Sequence, residues 1–210
     1  MTLKGIPFAV CRAESMRGSF GRGIDTAWVF EGERAPGAGC SSSKGFQYAA
    51  VGTSDRVVGM GGRIIDYFSE DASKVSLLAT TDIDGHGTDE IAISLKDDTS
   101  DRPMMWMLRF DGKNVVKVGL SGIGGSLSYS GGPAPGTSNR REGGEVAVYS
   151  LDDTEVARTN FEEGEGFAVA VDPGTYRVAP SSGDAQCREL TVEVVAHQFT
   201  GLQIKCSPTA

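Results

Sequence analysis

Long helical periodicity is missing from this 210-residue chain, and so is any apolar run approaching the ~20 residues that cross a bilayer. No membrane span is therefore expected. The opening MTLKGIPFAV has one Lys and too short an apolar stretch for a signal peptide, so an exported form would already have lost its leader. Basic residues are scarce: 20 Lys and Arg stand against 28 Asp and Glu, a formal net charge of -8. A surface that tracks phosphates needs clustered cations, and this balance excludes nucleic acid as the expected partner. Histidine is scarcer still, with His86 and His197 the two candidates for a proton shuttle near neutral pH. Neither has a nucleophile motif beside it, since GSLSYSGG and GSFG are Gly-rich loops and not the strand–turn–helix setting of a serine elbow.

Cysteine is limited to four residues, and none forms the CxxC pair of a zinc or redox site. They fall into two separated pairs. Cys187 and Cys206 flank CRELTVEVVAHQFTGLQIKC, where Leu190, Val192 and Val194 alternate, as do Leu202 and Ile204 after a turn near 198–201. Read as a hairpin, this segment puts both cysteines at its open end, provided one residue of irregularity is absorbed. Cys11 and Cys40 are the second candidate pair. Two bridges would imply an oxidising compartment; the alternative is pairs of small buried thiols.

What the chain does contain is a series of short β-rich runs, TAWVF, FQYAAVG, EIAISL, MMWMLRF, GEVAVYSL and FAVAV, separated by Gly and Asp turns. The fold class expected is all-β. Hydrophobic residues at 39% suffice for one or two cored domains. The run GLSGIGGSLSYSGGPAPGTSNRREGG, rich in Gly, Ser and Pro without apolar period, reads as a linker. This divides the chain into a domain over 1–120, a linker over 121–143 and a second domain over 144–210.

The first domain holds an internal repeat. GSFGRGIDTAWVF from Gly18 lies on DIDGHGTDEIAI from Asp82, with Gly21, Gly23 and Asp25 matching Gly85, Gly87 and Asp89 at a constant offset of 64 residues. A second pair, FQYAAVGTSDRVVGMGG and MWMLRFDGKNVVKVGLSG, repeats a strand, a tight polar turn and a Val-Val strand. In the second copy Asp82, Asp84, His86, Thr88 and Glu90 stand at alternate positions between two apolar strands. Carboxylates converging from a wrapped loop suit a hard cation with six to eight oxygen ligands, and glycines allow the close turns. Asp82, Asp84 and Glu90 are expected as side-chain ligands of Ca2+ and Thr88 as a carbonyl donor. His86 offers nitrogen where an oxygen is usual, and water is the substitute. Asp89 is expected to point away. The loop is not an EF-hand, because no helices flank it and Ile93 occupies the twelfth position.

DIDGHGTDEIAISL resembles the calcium loop of FG-GAP or VCBS repeats, whose pattern runs close to DxDGDGxxDLxV. The resemblance covers about half the chain and implies one four-stranded β-propeller blade per repeat in a secreted or cell-surface setting. Here His86 replaces the third acidic ligand and Glu90 replaces Asp, while the first copy has Gly18, Phe20 and Arg22 at ligand positions, so only the second loop should bind metal. Two blades cannot close a ring, which predicts a face-to-face packing, a homo-oligomer or membership of a longer chain. The segment after the linker resembles transthyretin-like folds of carboxypeptidase regulatory domains. Its signature, FAVAVDPGTYRV, reads as a hairpin turning at Asp172-Pro173-Gly174 within a β-sandwich.

The expected function is a secreted or cell-surface, calcium-binding adhesion or interaction module without catalysis, its partner a surface protein or glycan. The alternative is an accessory region of a secreted hydrolase, or an enzyme that uses a carboxylate pair.

Overall fold

The computed structural model describes residues 4–33, 40, 46–61, 72–97, 103–129, 141–183 and 185–207. Among these residues there is no helix, and the protein is all-β. Among the described residues no helix is long and apolar enough to cross a membrane. The chain divides into two units, one of residues 1–99 with 107–118 and one of residues 100–106 with 119–210.

In the first unit, β1 (Val10–Arg17), β2 (Thr26–Gly32), β3 (Phe46–Thr53) and β4 (Arg56–Met60) lie side by side in chain order as an antiparallel sheet. Strand β2 is buried from Thr26 through Phe30, so both of its faces are covered. On one face Trp28 and Phe30 form a core with Val10, Ala50 and Val57, and Phe8 packs on Tyr48 with ring centroids 5.0 Å apart. The same order recurs in β5 (Ala72–Thr81), β6 (Glu90–Asp97), β7 (Met104–Phe110) and β8 (Val115–Val118), again neighbours in sequence and in the sheet. Strand β7 is shared, its residues from Met107 onward belonging to this unit. Side chains of the first four strands reach the backbone of β5: Gln47 accepts the Val75 N–H at 2.8 Å and Glu14 accepts that of Leu77 at 3.2 Å. A disulfide joins Cys11 to Cys40.

In the second unit, β11 (Gly144–Tyr149), β12 (Glu155–Phe161), β14 (Gly174–Ser181) and β16 (Leu190–Val194) form a sheet in the order β12-β11-β14-β16. Apart from it, β9 (Gly122–Tyr129) pairs with β10 (Arg141–Glu142), β13 (Phe167–Ala170) and, in parallel, β17 (Phe199–Ser207), which also holds β15 (Gln186–Cys187). Inward residues of both groups share one core, with Ile123, Leu127, Val146, Val148, Val178 and Ile204 among its most buried members.

Three expectations are corrected here. Residues 122–129, read as linker, are a strand with Ile123 and Leu127 fully buried, and Arg141 and Glu142 are paired as well; residues 130–140 lie outside the described residues. The glycines of β9 mark close approach and not flexibility: a Cβ on Gly125 would stand 2.0 Å from the Leu202 carbonyl oxygen, and one on Gly124 2.4 Å from the Met105 methyl. Second, FAVAVDPGTYRV is not a hairpin. Strand β13 pairs with β9 while β14 pairs with β11 and β16, so the Asp-Pro-Gly turn carries the chain from one group of strands to the other. Third, β16 and β17 do not pair with each other, and Val192 is opposite Tyr176. The Cys187–Cys206 disulfide exists all the same, because the short β15 sets Cys187 directly opposite Cys206 on β17.

Candidate metal centre

The candidate centre lies wholly in the first unit, in the turn between β5 and β6. Two features of the sequence build it. Gly85 and Gly87 take left-handed conformations with φ of 72° and 82°, which wraps the loop inward. Their counterparts Gly21 and Gly23, between β1 and β2, have φ of 80° and 76°. The repeat inferred from spacing is therefore a repeat of backbone shape.

The two loops differ in what fills them. At the position of Asp84 the first loop carries Phe20, which is buried with Ile24, and the loop closes on itself through Phe20 N–H to Ile24 carbonyl at 3.0 Å. An apolar plug replaces the acids. The loops also bond to each other: Ser19 N–H donates to Asp89 Oδ2 at 2.6 Å and Asp89 N–H donates to the Ser19 carbonyl at 2.7 Å. Asp89 is thereby turned toward the first loop, and the Thr88 methyl faces it too, 3.8 Å from where a Cβ of Gly21 would be.

In the second loop Asp82, Asp84 and Glu90 bring carboxylate oxygens within 4.8 Å of one another, a group able to hold a metal ion. The loop's own amides aim them. Gly87 N–H donates to Asp82 Oδ2 at 2.8 Å, His86 N–H to Asp84 Oδ1 at 3.2 Å, and Ile83 N–H to Glu90 Oε2 at 3.0 Å. Exposure grades across the triad: Asp82 faces solvent, Asp84 is partly covered, and Glu90 is 0% exposed. Burial, first, pushes the Glu90 carboxyl above the ordinary glutamate range; the Ile83 amide pulls it down, and the charges of Asp82 and Asp89 push it up again. A positive charge beside such a carboxylate favours its ionised form.

One such cation comes from the protein. Arg109, on β7, donates from Nε to Glu90 Oε1 at 2.7 Å and from Nη2 to Asp84 Oδ2. Nothing in the local spacing of the loop announces Arg109, which lies 19 residues beyond Glu90 in sequence and arrives by strand pairing. His86, expected among the ligands, is exposed, with Nδ1 2.7 Å from Asp84 Oδ1. Among the described residues no other set of three or more His, Cys, Asp or Glu side chains gathers in this way.

No protein-family model matches the chain, and no curated protein matches it.

Proposed function

We propose that the 82–90 loop binds calcium and that the protein is a non-catalytic interaction or adhesion module of the cell surface or extracellular space. The observation that carries this reading is the convergence of the Asp82, Asp84 and Glu90 carboxylates in a wrapped, glycine-hinged loop. Oxygen-only donors at this spacing suit a hard cation better than zinc or copper, whose sites are built from imidazole and thiolate. The two four-stranded runs, each with a loop of the same shape between its first two strands, support a pair of FG-GAP-like blades. The shared core of the second unit supports a transthyretin-like sandwich. Two disulfides are compatible with export.

Calcium would serve chiefly to tie the acidic loop down, and a surface protein or glycan would be recognised by the scaffold so held. Three carboxylates with two already engaged by arginine point to a weak site, on the order of 0.1 to 1 mM as in extracellular modules. Calorimetric titration with calcium chloride tests the reading: saturable uptake that is lost in Asp82→Ala supports it, and no uptake at millimolar calcium removes it.

A further inference from the structure

We propose that Arg109 is a tethered counter-cation that keeps the 82–90 loop closed in the absence of metal and competes with the metal for Asp84 and Glu90. This inference rests on the metal-binding reading and assigns that site its regulator.

The hydrogen bonds divide the carboxylate oxygens into two sets. Loop amides hold Asp84 Oδ1 and Glu90 Oε2. Arg109 holds the other oxygen of each residue, Asp84 Oδ2 and Glu90 Oε1. A calcium ion needs its oxygens at ~2.3 to 2.6 Å. Each carboxylate oxygen keeps a second lone pair beside the one an amide N–H takes, but the guanidinium bridges Asp84 and Glu90, so an ion that collects both carboxylates meets its positive charge there. Displacing the guanidinium is the easier course, because Arg109 rides on a flexible stem and its side chain is already 31% exposed, whereas Glu90 is fully buried and has no solvent to turn to. The formal charge around the ion also changes sign of effect: three carboxylates attract a divalent cation, and a fixed positive charge among them opposes it.

Arg109 and metal are thus rival ligands of the same oxygens, so whatever stability Arg109 gives the metal-free protein is subtracted from metal affinity. A residue serving only as a strand-to-loop ion pair would not produce this exchange.

The experiment compares wild type, Arg109→Gln and Arg109→Lys by calcium calorimetry and by thermal unfolding in chelator and in excess calcium. Arg109→Gln should unfold at a lower temperature than wild type in chelator, yet bind calcium about tenfold more tightly, a change of ~1.4 kcal/mol. Arg109→Lys, which keeps the charge without the two-pronged geometry, should fall between. If Arg109→Gln folds only when calcium is supplied, the exchange is shown directly. Equal or weaker calcium binding by Arg109→Gln beside a wild type that does bind would overturn the inference and leave the metal site standing. Absence of uptake by all three proteins would overturn both, and mark Arg109 as a structural ion pair only.

Discussion

Single side chains decide whether the acidic loop is a site or a turn. Asp82→Ala and Asp84→Ala should abolish the rise in melting temperature that calcium gives the wild type. That rise corresponds to about 2.7 kcal/mol at a hundred times the dissociation constant. Asp89→Ala should behave differently: losing the Ser19 bond lowers the melting temperature, but most of the calcium-induced rise is kept, because Asp89 faces the first loop. A backbone test runs in parallel. Gly87 has φ of 82° and open space around a Cβ, so Gly87→Ala should cost on the order of 1 to 2 kcal/mol in urea titration through conformation alone. The acids and glycines were legible in the sequence because loop ligands are local and recur at fixed spacing. Arg109 was not, since its partners are set by which strand follows β6 in the sheet, and an arginine in MMWMLRF looks like any charged strand end.

Among strands, the sequence showed where they are better than whom they pair with. Alternation in FAVAVDPGTYRV and in CRELTVEVVAHQFTGLQIKC marks β13, β14, β16 and β17 correctly, but the same alternation serves a hairpin and a crossover between two layers equally well. The strand β9 was hidden because its Gly and Ser content resembles a linker; only the approach of Leu202 and Met105 shows why side chains are excluded. Gly125→Ala therefore distinguishes the two views. A linker would tolerate it, whereas the clash 2.0 Å from the Leu202 carbonyl should part β9 from β17 and destabilise the second unit by about 1 to 3 kcal/mol or more, measured by chemical denaturation. A smaller pH effect belongs to the β7–β8 turn. Asp111 is held below the ordinary carboxylate range by the amides of Asn114 and Lys113. Its folded pKa lies below the unfolded one, so its contribution is present above the unfolded value near 3.8 and is lost as pH falls through the folded value. Asp111→Asn should remove that acid sensitivity from the unfolding profile.

Across the molecule, one unit carries the loop and the other carries a core of its own, closed by the Cys187–Cys206 bridge. Calcium should therefore stabilise only part of the protein. In a thermal scan of the oxidised protein the transition of the first unit should move with calcium while that of the second stays in place; reductant should lower both, since each unit holds a bridge, the one in the second spanning 19 residues, a loop length worth roughly 3 kcal/mol. The most direct measurement is the melting curve of the oxidised wild type in chelator and in 10 mM calcium (about ten or more times the ~0.1 to 1 mM dissociation constant), beside Asp82→Ala. The first transition should shift upward in wild type and stay in place in the variant. Superimposed wild-type curves, with no calcium uptake by calorimetry, would contradict it and leave the 82–90 loop an arginine-tied turn.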